Sequence, residues 1–490
     1  MIDHHLIELL ITFSRKEMTR FMAFSLSPYH HKHEETRQLI AYLSDCFPVF
    51  NEDNCERQQI WKQLFGRKKF NQSKLSVLFT YAWRLAEEFL VQEQLQKTPL
   101  SKTLLLAALR ERGQKQLFER QLKKTKQQLE DFQLRDAHYY QQVITMAGEA
   151  IEFYGVWEPR RENESLIEKE HALDQYYLLE KLRDAVSLQV RSQILKGDYS
   201  ARLLEGVLEE LRQNLDAYRN APAIQVYFHL YQMMDAASLV GYRKTLGIFQ
   251  ENEHLLQRRE VMHIYIYLQN FCIAQINRNQ QPFLRELFGL YQAQLSRKLL
   301  HEDGYLIEWH YKNIVTTALR LGELEWVNTF IEEQKSELSP ETAENAYRFN
   351  KAAYCHAVGE YGKVLELLTQ VEYRNIRYSL GAKALLLRTY YELEEFEALH
   401  ALVESFRQYL QRNRLLADFR RGGYYHLFRL TRRLAKLRTQ MPYLPEEQIV
   451  QRLTKVRMDV EATSPIFNRV WLEQKMAELE GQLALQDSSG

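Results

Sequence analysis

Turn formers are scarce in this chain. Its 490 residues include 18 Gly and 10 Pro, about half or less of the usual shares of roughly 7% and 5%. The residues that punctuate strand corners and tight turns are therefore few. No GxGxxG, GxxxxGKS/T, GxSxG, HExxH or CxxC occurs, so the phosphate cradles, nucleophile elbows and zinc sites readable from one sequence are absent. The four cysteines, Cys46, Cys55, Cys272 and Cys355, are widely spread and lack metal-ligand spacing, which favours a reduced compartment over a disulfide framework. No apolar run approaches the roughly 18 residues that span a bilayer. Asp3 with no preceding Lys or Arg, and Glu8 within the first apolar run, argue against a secretory signal. The expected location is cytoplasmic.

Chemistry-bearing constellations are also missing. No paired carboxylates and no Ser, His and Asp set stand out among 64 acidic residues, so neither catalytic residues nor a cofactor is expected. His30, His31 and His33 come nearest to a metal site. Consecutive histidines do not face one ion from a regular helix, and no second pair complements them; the reading is a solvated turn with no metal.

What is present is an ordinary globular composition, 45% hydrophobic and 26% charged, with 65 Lys plus Arg against 64 Asp plus Glu. The balance hides an asymmetry. Residues 301–350 hold four basic and ten acidic side chains, and residues 401–450 hold ten basic and four acidic. An electrostatic partner would meet a patch and not the whole molecule.

Apolar residues recur at spacings of three and four almost throughout, which predicts an all-α protein. Ser14 with Glu17 forms a capping box ahead of Met18, Phe21 and Met22. Helices are expected near 34–46 and 54–65, and from Asn71 as N-cap through Leu75, Leu78, Trp83 and Phe89. Residues 1–97 thus read as an N-terminal helical bundle. Residues 98–196 read as a long antiparallel hairpin. Its first arm is one helix from about 114 to 153, with Asp136 interrupting an otherwise apolar seam; a turn follows at 155–163, and the second arm runs over 164–196.

From 197 to 415 the segments shorten and resemble one another. Gly322-Glu323-Leu324, Gly359-Glu360-Tyr361 and Glu394-Glu395-Phe396 superpose at spacings of 37 and 35 residues, with Val327, Val364 and Leu399 three residues beyond each anchor. Looser turns fall near 237–240 and 277–281. Helices are expected at about 305–320, 324–336, 341–357, 361–371, 380–393 and 396–411. The period is close to the 34 residues of a tetratricopeptide unit. This part of the chain resembles that family, with Ala352 and Tyr390 at its small and tyrosine positions, while Tyr311, Arg348 and Lys383 stand where the family has tryptophan. The resemblance implies an α-solenoid whose surface binds protein segments. The opening FMAFSLSPYHHKHEE is also similar to a group of uncharacterised bacterial helical-repeat proteins, from which no activity follows.

Two sets of residues are candidate sites. Asn313 and Asn350 share a register nine residues before their turn glycines. On the first helices of a stack such amides would hold an extended peptide, and Lys312, Arg320, Arg348 and Lys351 would supply charge for a carboxylate. The alternative is polar groups on a wet wall. The second set lies in the C-terminal capping region, 416–490, where further helices are expected from Pro445 and from Pro465 with Ser464 as N-cap. Helix 424–438 puts Leu427, Leu430, Leu434 and Leu437 on one face and Arg429, Arg432, Arg433 and Lys436 on the other, with Arg420 and Arg421 just before. That face suits nucleic-acid phosphates, an anionic membrane surface or an acidic protein, or else solvent or pairing with the acidic 301–350 stretch. The sequence therefore points to a non-enzymatic protein–protein interaction scaffold binding an unidentified protein or peptide, with a nucleic-acid-linked regulator as the alternative.

Overall fold

The all-α expectation holds. A computed structural model describes residues 4–98, 100–132, 134–157, 164–192, 199–278, 280–371, 376–412 and 418–487. Among these are 24 α-helices, four short 3-10 turns and a single two-stranded ribbon. No helix among them is long and apolar enough to cross a membrane. The chain divides into two compact units, Met1–Asp235 with Lys244–Gln257, and Ala236–Arg243 with Arg258–Gly490.

The first unit opens with α1 (His5–Ile11), α2 (Arg15–Leu26), α3 (Glu34–Cys46), α4 (Glu52–Cys55), α5 (Arg57–Phe65) and α6 (Gln72–Lys97). The expected caps are in place. The Ser14 hydroxyl and Glu17 carboxylate form a reciprocal capping box on α2, and Asn71 accepts from Lys74 N–H at the start of α6. Leu6, Phe21, Leu39, Trp61, Leu78 and Phe89 form the core of this bundle. His33 is not merely solvated: its Nδ1 accepts from Thr36 N–H and caps α3, while His30 stacks on Phe24 at 3.8 Å.

The expected single arm from 114 to 153 is corrected. The structure has α7 (Leu100–Glu111), α8 (Lys115–Glu130) and α9 (Ala137–Trp157), and α9 pairs with α10 (Glu164–Ser192) as the real hairpin. The break falls where Asp136 interrupts the seam. Its Oδ1 accepts from Tyr139 N–H at 2.8 Å, and its Oδ2 accepts from the Gln257 amide. An Asp that satisfies a first-turn N–H begins a helix instead of continuing one. Of the expected turn at 155–163, residues 158–163 lie outside the described residues, as do most of the DSSG tail.

α11 (Leu204–Asn214) and α12 (Pro222–Ala236) complete the first unit before α13 (Leu239–Asn252), which crosses the division between the units. The second unit continues with α14 (Arg258–Asn277) and α15 (Pro282–Ser296), then β1 (His301–Glu302) paired to β2 (Tyr305–Leu306). Asp303 and Gly304 carry φ of 50° and 86° between them, the two positive values that a tight hairpin turn demands. The next helix therefore starts at 308 and not near 305. There follow α16 (Glu308–Leu321), α17 (Leu324–Glu333), α18 (Ala343–Ala357), α19 (Tyr361–Thr369), α20 (Ile376–Glu392) and α21 (Phe396–Arg412).

The three matched turns share one geometry. Gly322, Gly359 and Glu394 have φ of 78°, 83° and 60°. The next residue's N–H reaches back five positions each time, Glu323 to Ala318 at 3.1 Å, Glu360 to Cys355 at 2.9 Å and Glu395 to Tyr390 at 2.9 Å. This left-handed cap satisfies the orphan carbonyls at a helix end. Val327, Val364 and Leu399 are fully buried, as expected. The first helices α16, α18 and α20 pack on one another in sequence, and each second helix packs between neighbouring first helices.

The chain ends with α22 (Asp418–Gln440), α23 (Glu446–Ala462) and α24 (Arg469–Asp487). Two expectations change here. α22 begins at 418 and runs through Gly422 and Gly423, where a break was expected, because the Phe467 ring rests on Gly423; a Cβ there would lie 2.8 Å from it. The last helix starts at Arg469 and not Pro465, since 463–468 is used to bring Phe467 N–H to Gly423 O and Pro465 O to His426. Leu380, Leu399, Leu430, Leu453 and Leu472 share one core across α20 to α24, each buried side chain contributing roughly 1.5–3 kcal/mol.

Candidate functional site

The first-helix residues singled out from the sequence do not converge. Asn350 is fully buried, its amide donating to Ala346 O at 2.8 Å. It cannot hold an outside peptide, and that expectation is corrected: its register falls on the side of α18 that packs against α20. Asn313 is half-buried beside the Tyr291 hydroxyl. The Lys312 ammonium lies 5.0 Å from the Phe349 ring and 5.3 Å from that of Tyr378, a cation–π enclosure within the chain itself. The Tyr378 hydroxyl donates to Glu308 O at 3.1 Å, so first helices two pairs apart meet at their N-terminal ends.

The remaining cations point elsewhere. Arg348 donates to Gln370 O at 2.9 Å and pairs with Glu344, while Lys351 pairs with Glu332 at 2.6 Å against α17. Arg320 keeps an exposed surface near the end of α16, while partial burial of its guanidinium lowers its pKa.

The C-terminal ends of the first helices hold what the sequence reading missed. His356 on α18, Arg388 and Glu392 on α20, and Trp471 and Lys475 on α24 form one polar cluster. Both Glu392 oxygens are engaged, Oε1 by Trp471 Nε1–H at 2.8 Å and Oε2 by Lys475 Nζ at 2.9 Å. Lys475 also pairs with Glu478 at 2.8 Å. Arg388 has no carboxylate at ion-pair distance among the described residues, and its Nε and His356 Nε2 are shielded from solvent without hydrogen-bond partners. Burial first, then the charges of Arg388 and Lys475, push His356 down to about 3. Burial brings Arg388 down to about 10, with Glu392 opposing. The Tyr361 ring meets His356 edge-on at 5.4 Å. Only the tertiary fold brings these together, because they come from four helices spread over more than a hundred residues.

The basic helix is amphipathic as expected: Leu427, Leu430, Leu434 and Leu437 are buried, and Arg429, Arg432 and Lys436 are exposed. Its charges are partly taken up internally, by acids other than the expected 301–350 stretch. Arg432 pairs with Glu404 at 2.6 Å, Arg433 with Asp459, and Arg438 with Glu394 at 2.5 Å. Arg421 is exposed, and the Arg420 side chain lies outside the described residues. Between α21 and α22 an open hollow of about 110 Å³ has Phe406 and Phe428 beneath Arg407, Arg429, Arg432 and Tyr425.

The first unit has a polar hollow of about 240 Å³ at the α8–α9 break, lined by Asp136, His138, Glu180 and Arg183 among others. These groups are already bonded: His138 to Gln142, and Arg183 to Glu180 at 2.7 Å. No group of three or more metal-ligating side chains occurs among the described residues. No protein-family model, no curated protein and no solved structure matches the chain.

Proposed function

We propose that the chain is a cytoplasmic, non-enzymatic interaction scaffold. Its second unit is read as a short solenoid of tetratricopeptide-like helix pairs that binds a protein segment on the first-helix surface. The observation that carries this reading is the identical cap at three turns in register, with φ of 78°, 83° and 60° and the same back-bond, joined to first helices packed in series. Repeats that contact mainly their neighbours build extended surfaces suited to chain segments. The N-terminal ends of those helices are closed by Tyr378 and Lys312, so the binding surface is assigned to their C-terminal ends, around Arg320, His356 and Arg388. The nucleic-acid reading has less behind it, because Arg432 and Arg433 are already paired.

The test is site-specific photocrosslinking in the native cell. A photoreactive residue at Arg320 should yield a protein adduct of defined mass that is absent when the probe stands at Val450 on α23. Equal labelling at both positions, or none at either, removes the support for a first-helix binding surface.

A further inference from the structure

Arg388 raises a question of pairing. A guanidinium drawn into a polar cluster is normally met by a carboxylate, since desolvating an unpaired charge is costly. Glu392, the nearest acid on its own helix, has both oxygens committed to Trp471 and Lys475. Glu478 serves Lys475 as well. The Arg388 Nε is shielded and unpartnered. Its terminal nitrogens are neither hydrogen-bonded nor among the shielded orphan atoms, and the residue as a whole is only half-buried. The fork is therefore reachable from solvent. His356 Nε2, shielded and unpartnered, and the Tyr361 ring stand beside it.

We infer that Arg388, with His356 and Tyr361 beside it, is a binding site for one carboxylate. The guanidinium selects the class. With His356 neutral, Arg388 and Lys475 are matched in number by Glu392 and Glu478, but both acids are spent on Lys475 and Trp471, so what the cluster lacks is an acceptor for one guanidinium. The planar fork of arginine matches a carboxylate through two parallel N–H···O bonds. The carboxylate belongs either to a small free acid or to the C-terminus of a protein segment. This site stands on the cluster's own geometry and goes beyond the scaffold reading: the crosslinking test at Arg320 can fail while the carboxylate binds, and the reverse.

The experiment is thermal unfolding of the full chain at constant ionic strength, with sodium acetate replacing sodium chloride up to about 100 mM. The expected result is a saturable rise in melting temperature on the order of 5 °C near a hundred times Kd, absent in Arg388→Met and at least tenfold weaker in Arg388→Lys. In chloride alone Arg388→Met should melt at or above the wild-type temperature, because it removes a largely desolvated guanidinium that has no hydrogen-bonded partner. Absence of any acetate-specific rise in the wild type overturns the site, and so does an undiminished rise in Arg388→Met. A large destabilisation by Arg388→Met in chloride would make the residue a structural strut, and a stronger response to phosphate than to acetate would refute the carboxylate assignment. A short peptide with a free C-terminus is then compared with its C-terminal amide. Stabilisation by the free form alone supports the site and assigns it to protein termini; stabilisation by acetate but neither peptide supports it and assigns it to small acids.

Discussion

Trp471 Nε1–H donates to the Glu392 carboxylate across 2.8 Å and so ties α24 to the end of α20, 79 positions earlier in the chain. The Trp471 ring also meets Tyr391 edge-on at 5.5 Å. Replacing Trp471 by Phe keeps most of the apolar contact and removes the donor from a partly buried carboxylate, an expected loss of about 1–3 kcal/mol. Urea unfolding followed by circular dichroism measures it. A change within about 0.5 kcal/mol, the size of an ordinary surface substitution, would mean that the bond contributes nothing net.

Glu394 occupies the left-handed position that glycine holds in the two preceding turns. A residue with a Cβ is penalised there by roughly 1–2 kcal/mol, while its exposed pair with Arg438 returns at most about 1 kcal/mol. Glu394→Gly should therefore stabilise the chain by about 0.5–1 kcal/mol, and Gly359→Ala should destabilise it by about 1 kcal/mol. Opposite signs for the two variants in one denaturation series are the expected outcome; matching signs would show that the turns are not equivalent.

At Gly423 helix propensity and packing pull in opposite directions. Alanine gains roughly 1 kcal/mol of propensity inside a helix, but its Cβ would lie 2.8 Å from the Phe467 ring, an overpacking cost of about 1–3 kcal/mol. Gly423→Ala should be neutral to destabilising by about 2 kcal/mol in the wild type. In a Phe467→Ala background the same change should become stabilising. A double-mutant cycle by calorimetry reads the sign, and an unchanged effect in the second background would refute the contact.

His310 and His356 are held down to about 4 and about 3, in both cases chiefly by burial. Both are neutral when folded and take up protons near 6.5 when unfolded. Their contribution is complete above about pH 6.5 and is lost as pH falls toward the folded values, by at most about 1.4 kcal/mol per pH unit for each group. Stability should decline from pH 6.5 to 4, and the slope should lessen in His356→Gln. A slope identical to wild type would show that His356 already protonates freely in the folded chain.

Reversing Arg432 and Arg433 to Glu should lower stability by about 1–2 kcal/mol, because two exposed pairs of up to about 1 kcal/mol each turn repulsive toward Glu404 and Asp459. The loss should shrink as salt rises. Retention of the wild type on immobilised DNA or RNA at low salt should be weak or absent. Strong retention that is abolished by the reversal and falls steeply with salt would instead favour the nucleic-acid reading.

The sequence made the local chemistry legible. The Ser14 and Glu17 box, the Asn71 cap and the turns at Gly322 and Gly359 occur where their residue types required them, since caps and left-handed turns are decided within about five positions, while the third turn was visible only by its register with these two. The separation of leucines from cations on α22 was equally local. Asp136 shows the limit of such reading. Its place on an apolar seam was visible, but that it ends one helix and starts another depends on Tyr139 N–H and on Gln257, 121 positions away.

Periodicity by itself determined that this protein is built from helices and where most of them turn, because hydrogen bonds within a helix and the apolar stripe on it are properties of neighbouring residues. Only the tertiary structure decided which polar groups stay free. Asn350 had the register of a groove residue and is buried against a neighbouring helix, Lys312 is enclosed by rings from α18 and α20, and Arg432 and Arg433 found acids on α21 and α23. Arg388, unremarkable in the sequence, is left without a hydrogen-bonded carboxylate because Trp471 and Lys475, from the far end of the chain, had already taken the oxygens of Glu392. Burial and charge pairing are set by which helices meet, and that is fixed by long-range packing, which no local pattern records.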